Sequence, residues 1–170
     1  MVDLEELAAT VESMPEVLSA LLTPLNPAVL RRRPAHGEWC VIEVIEHLVV
    51  VEGPAFRDRI KRIVEGEPEI AEVVSTTLAS DELESHSLAG LLDQLRRDRA
   101  QSAAFLRSLS PDDLERTAEH HVYGRLTAGD FAHEWAYHDQ DHLQQILDAT
   151  KARYSDSMSA NMRKAMALSS

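Results

Sequence analysis

The sequence predicts an all-α protein: an up-and-down four-helix bundle with short extra helices and a C-terminal helical tail. Three observations carry this. Apolar residues recur at the helical period through most of the chain. Helix-start residues punctuate it at Asn26-Pro27, Ser87 and Thr127. Alternating apolar runs and Asn-Gly hairpin turns give little competing signal. Three or four long helices with short connections pack as an antiparallel bundle. At 170 residues the chain reads as a single domain, with its core at roughly residues 3–150 and a tail helix at 151–170.

The first helix spans about Asp3 to Leu22, with Pro15 as a kink or restart point, and Thr23-Pro24 ends it. Asn26-Pro27 opens a short helical turn, with Asn as the cap. Pro34 to Gly37 is loop. The second helix begins near Trp39 and includes VIEVIEHLVVV, apolar on nearly every side and so deeply buried. Gly53-Pro54 kinks it, and it resumes through Ile60 and Val64. Gly66 to His86 is an acidic connection with one short helix at Ile70 to Val74. The third helix runs from Ser87 to about Leu109, anchored by Leu88, Leu91, Leu92, Leu95 and Phe105. Ser110-Pro111 opens a short turn, and His120 to Leu126 is a loop containing Gly124. Thr127 caps the fourth helix, with Asp130 in the capping-box position, and the helix lasts to about Ala149. Met158, Met162 and Met166 then recur at i, i+4, i+8 as an amphipathic stripe.

Charge narrows the function classes. The net charge of −12 disfavours a nucleic-acid partner, because phosphate binding requires clustered Lys and Arg. It equally disfavours an anionic membrane surface. Arg31-Arg32-Arg33 is too short a cluster to reverse this. The single cysteine, Cys40, excludes an internal disulfide and a cysteine-based metal knuckle, and fits a reducing cytoplasm. No signal peptide is expected from the acidic N-terminus, and no apolar run of about 18 residues predicts a membrane span.

The stretch HDQDHLQQI, His138 to Ile146, carries the chemistry. At about 100° per residue, Phe131, Ala132, Trp135, Ala136, Leu143, Ile146 and Leu147 share one arc of the fourth helix. His142 falls inside that arc and His138 at its rim, while His133, Gln140 and Gln144 face the other way. His47 lies between Val44 and Val51 on the second helix, in the most apolar run of the chain. Two helices thus aim imidazoles into the core, where each ring nitrogen needs a partner. A lone buried histidine is more often a satisfied core residue than a ligand. The pair one turn apart, with a third on another helix, favours a metal. Three neutral imidazoles leave coordination positions open, as in reactive rather than structural sites. Zn, Ni, Co or Fe(II) suits such a set. HEWAYH, His133 to His138, is one residue too long for the zinc-protease spacing, and GRLTAG, Gly124 to Gly129, lacks the P-loop Lys and Ser/Thr.

Three blocks give the chain a family likeness: GEWCVIEVIEHL ending at Leu48, HHVYGRLT at His120 to Thr127, and HDQDHLQQI itself. In this order and spacing, over roughly residues 5 to 150, the chain resembles the DinB/YfiT-like superfamily of small helical-bundle metalloproteins. The resemblance implies a four-helix bundle, a metal held by His47, His138 and His142, and a homodimer. For chemistry it implies less. Members are described as thiol S-transferases using low-molecular-weight thiols or as hydrolases, and many have no known activity.

Around the ligands, Glu43 is placed one turn before His47 to receive its other ring N–H, or to sit on the helix surface. Asp139 orients a ligand or makes a helix contact. Trp39 and Trp135 pack the core or wall a pocket. Tyr123, His120 and His121 lie on a loop expected near the metal mouth, with Tyr123 and His121 as catalytic candidates and Arg125 as a cation for an acidic thiol. The leading reading is a metal-dependent enzyme that activates a water or thiol against a small electrophile. The alternatives are a non-catalytic metal- or ligand-binding stress protein and a dimeric helical scaffold.

Overall fold

The computed structural model describes residues 3–71 and 86–167. Helix α1, Leu4–Leu22, starts where the Asp3 side chain accepts the Glu6 N–H. Its buried residues Leu7, Ala8, Val11, Met14, Pro15, Leu18 and Leu22 follow the 3–4 spacing of one face. Pro15 removes one backbone donor, yet the helix runs straight through it as one element. The short α2, Pro27–Leu30, is capped by Asn26, which accepts the Ala28 N–H.

Helix α3, Val41–Val51, buries nine of its eleven residues. It begins two residues after Trp39, so that ring stands on the lead-in rather than on the helix. At Glu52–Arg57 the chain widens into a π-helical turn and then continues as α4, Asp58–Val64. The cause is local. Pro54 cannot donate to the preceding turn, and the Asp58 N–H reaches back to the Gly53 carbonyl instead. The sequence-based kink is thus a widened turn, which carries Glu52 and Phe56 into the core.

Two further long helices complete the bundle. Helix α5, Leu88–Ser108, is capped by Ser87 and packs chiefly on α1. After α6, Pro111–Leu114, helix α7 spans Ala128–Asp156, with Thr127 and Asp130 in a reciprocal capping box. It is longer than expected, by two turns beyond Ala149. Helix α8, Ala160–Ala167, follows, and Met162 and Met166 on it are exposed. Met158 precedes that helix, so the methionine stripe is split between a turn and a helix.

A small sheet departs from the all-helical expectation. Strand β1, Glu69–Ile70, pairs in parallel with β2, Thr117–His120, and β2 pairs antiparallel with β3, Gly124–Thr127. The segment read as the loop from His120 to Leu126 is therefore largely hairpin. Gly124 sits at φ 76°, the left-handed position that closes a three-residue turn. The short helix expected at Ile70 to Val74 is not formed at Ile70, which is in β1; its remainder lies outside the described residues.

The core has two lobes. One gathers Leu18, Leu22, Ile42, Ile45, Leu48, Leu95 and Ile146; the other gathers Phe56, Ile60, Leu106, Phe131 and Trp135. Each fully buried aliphatic chain contributes about 1.5–3 kcal/mol relative to exposure. No described helix is long and apolar enough to cross a membrane.

Candidate metal centre

Helix α7 carries His138 and His142 one turn apart, and α3 delivers His47 from across the bundle. Their Nε2 atoms converge: His138 Nε2 lies 3.2 Å from that of His47 and 3.1 Å from that of His142. The three ligand atoms all fall within 4.8 Å of one another, the one such cluster of three or more His, Cys, Asp or Glu side chains among the described residues. His47 is buried and the other two are half-buried. Phe56, brought inward by the π-turn, sets its ring edge-on to His138 at 5.1 Å. Trp39 closes the other side, 4.9 Å from the His47 ring and parallel to the His142 ring at 6.2 Å.

Burial keeps the His47 and His138 rings neutral. Burial, helped by the neighbouring His142, lowers the His47 pKa to about 4. Burial likewise brings His138 down to about 3, helped by His142, His47 and Arg99. Neutral imidazoles present lone pairs, so convergence without a cation sets acceptor against acceptor. His142 Nδ1 lies 2.8 Å from Gln145 Oε1; donating there, it leaves Nε2 as the unprotonated ligand atom. The donor set, its spacing and its tautomer all fit a divalent transition ion.

Beyond His142 opens a cleft of about 820 Å³ lined by Pro34, Gly37, Glu38, Trp39, Gln144, Gln145, Asp148 and Ala149. The triad is therefore enclosed by protein on the α3 side and approachable from the His142 side.

Several expected neighbours stand elsewhere. Glu43 does not serve His47: its carboxylate accepts the Cys40 N–H at 2.7 Å and pairs with Arg33, as an N-terminal capping group of α3. Asp139 does not orient a ligand ring. It takes a bidentate pair from Arg99, Nη1 to Oδ2 at 2.5 Å and Nη2 to Oδ1 at 2.7 Å. Arg99 also sets its Nε 2.9 Å from Glu52, so one guanidinium joins two carboxylates in the core. Burial pushes the Glu52 carboxyl up to about 7 against the pull of Arg99. Trp135 is fully buried and stacks on Phe56 at 5.2 Å; it is core beneath the site, not a wall of the cleft.

Tyr123, His121 and Arg125 belong to the hairpin and line no part of the cleft. The strand end at Thr127 is eleven residues before His138, roughly 16 Å of helix rise. His120 is a turn brace: its Nδ1 accepts the Val122 and Tyr123 N–H groups, and the Tyr123 ring stacks on it. Arg125 is exposed and its charge lies toward Glu119. His133 Nδ1 donates to the Gly129 carbonyl of its own helix at 2.7 Å, outside the triad. The Cys40 thiol is buried, and burial raises its pKa, so it offers no thiolate. Gln145 was missed in the sequence. The signal was its position three residues after His142, a helical neighbour. Arg99 was missed as well; it falls in step with Leu92, Leu95, Ala103 and Leu106 on the buried face of α5.

Facing helices that present three imidazoles to one point define a class, the histidine-centred four-helix bundles. Within it, the chain belongs to the DinB superfamily, whose family description matches residues 10–146. A protein of Oceanobacillus iheyensis named "Putative metal-dependent hydrolase OB0782" is 28% identical over 148 residues, 84% of this chain and 83% of that one. YuaE of Bacillus subtilis, uncharacterized, is 25% identical over 140 residues, 75% of this chain and 86% of its own. Among solved structures, Bacillus subtilis YfiT superposes with a TM-score of 0.74 at 18% identity, covering 87% of this chain and 86% of its own. It is described as a probable metal-dependent hydrolase with an unusual four-helix bundle topology. The four-helix bundle protein TT2238 gives a TM-score of 0.57 at 24% identity, covering 86% of this chain and 99% of its own. These two likenesses speak to the fold.

Proposed function

We propose that the protein is a divalent-metal enzyme of hydrolytic type acting on a small molecule. One observation carries it: three imidazoles converge on one point beside a cleft that His142 lines. An ion held by His47, His138 and His142 would supply Lewis acidity toward a water or a thiol. Imidazole ligands suit Zn, Ni, Co and Fe(II) alike.

The chain's own residues have definable parts. Gln145 fixes the His142 tautomer. Phe56 and Trp39 exclude water from the two flanks of the triad. A water nucleophile fits better than an acidic low-molecular-weight thiol, because no Lys or Arg is among the residues lining the cleft. The name of the Oceanobacillus relative points the same way. A homodimer and a cytoplasmic location complete the reading; the exposed Met162 and Met166 of α8 offer an apolar contact for a second copy.

The test is metal analysis of protein purified without a His tag, followed by ester, amide and thiol-conjugation panels on the same sample. Near-stoichiometric transition metal and metal-dependent turnover of an ester or amide are expected. Protein that neither retains nor takes up metal overturns the reading.

A further inference from the structure

The cleft beside His142 is chemically one-sided. Its charged lining residues are Glu38 and Asp148, both exposed, and its polar ones are Gln144 and Gln145. Gln144 donates to Asp148 at 3.0 Å, and Gln145 is taken up by His142. The Glu38 carboxylate makes no ion pair among the described residues. The cation nearest in sequence, Arg33, does not line the cleft: it pairs with Glu43, and its Nη1 donates to the Glu38 backbone carbonyl at 3.2 Å. The Trp39 ring lines the same cleft, half-buried, with its face parallel to His142. An aromatic face backed by carboxylates is what an ammonium group requires. An anionic group would meet two carboxylates and no Lys or Arg among the lining residues, on a chain of net charge −12.

We propose that this cleft selects small organic cations, with a protonated amine or quaternary ammonium seated between Trp39, Glu38 and Asp148 and the reacting group turned to the histidines. The inference rests on the hydrolytic reading for its chemistry but not for its binding selectivity. Trp39 lies 4.9 Å from the His47 ring and 6.2 Å from that of His142. A substrate of this kind is an ester that carries an ammonium group. In the hydrolysis of such an ester, the oxygen of water forms the new bond to the carbonyl carbon. The bond to the alcohol oxygen breaks, and the alcohol leaves with one of the water's protons.

Binding is read with zinc-loaded full-length protein by tryptophan fluorescence, since Trp39 lines the cleft while Trp135 is fully buried. The probes are benzyltrimethylammonium, benzyl alcohol and benzenesulfonate. The cation is expected to bind on the order of tenfold more tightly than the other two, and less so at high salt. Glu38→Gln combined with Asp148→Asn, both at exposed positions, is expected to erase the preference. Sulfonate binding as tight as the cation, no saturable cation binding, or a preference that survives the double variant overturns the inference. Turnover is read separately with acetylcholine against 3,3-dimethylbutyl acetate, its uncharged isostere. Equal rates overturn cation selection and leave the hydrolytic reading standing. No turnover of either, with the fluorescence preference intact, overturns the hydrolytic reading and leaves the cation site standing.

Discussion

The histidines of the centre differ in what each removal takes away. Alanine at His138 or His142 leaves two imidazoles, too few to hold an ion tightly, and is expected to abolish stoichiometric metal. Metal content of the purified variants checks this; full retention in both refutes the ligand set. Gln145→Ala should act more mildly, since it loosens the His142 tautomer without deleting a ligand. A loss of about 10–100-fold in metal affinity is expected, as for other partners of ligating histidines, measured by competition with a chromophoric chelator. The converging histidines were legible in the sequence because imidazoles at i and i+4 interrupted an apolar arc. Gln145 was not, because a glutamine one turn from solvent reads as surface. Tyr123, His121 and Arg125 were misplaced because a motif adjacent in sequence is separated from the site by the rise of α7.

At the scale of elements, the π-turn at Glu52–Arg57 and the buried Arg99 tie α3, α5 and α7 together through Glu52 and Asp139. Arg99→Met leaves two carboxylates buried without their cation, and should cost at least about 3 kcal/mol, seen as a lower urea midpoint. The pH dependence has a definite sign. Glu52 titrates at about 7 in the folded protein against an ordinary value of 4.5, so the folded state binds the extra proton between those values. Its contribution to stability is present below pH 4.5 and is lost as pH rises through 7. Glu52→Gln should therefore flatten a decline on the order of 3 kcal/mol in urea stability across that window. His47 and His138 act oppositely. Their folded values of about 4 and about 3 lie below 6.5, so metal-free stability falls as pH drops through that range. The Gly53-Pro54 irregularity was legible; its resolution as a widened turn was not, because that depends on what Glu52 and Phe56 meet inside.

Over the whole molecule, the four long helices were legible from period and caps: Asp3, Ser87 and Thr127 each cap the helix expected of them. The sheet was not. Strands of two and four residues carry too short an alternation to compete with helical signals on either side. Among the described residues, the tail is the part least bound to the fold. Residues 159–166 are exposed throughout, so a chain ending at Ser157 should keep its unfolding free energy in urea within about 0.5 kcal/mol of the parent. If α8 joins two copies, that truncation and the pair Met162→Glu, Met166→Glu should both convert a dimer to a folded monomer in light scattering. A parent that is already monomeric refutes the dimer.

The convergence of His47 with His138 spans 91 residues of chain. With Cys40 as its single thiol, the protein has no internal disulfide with which to fasten distant segments. An ion gripped from both helices would do that work as a removable cross-link. By loop-closure reasoning, a tie of this length withdraws roughly 4–5 kcal/mol of freedom from the unfolded chain. Loading and stripping the metal would then switch the molecule between a fastened and an unfastened bundle, and the ion's residence time would be bound to how often α3 and α7 part.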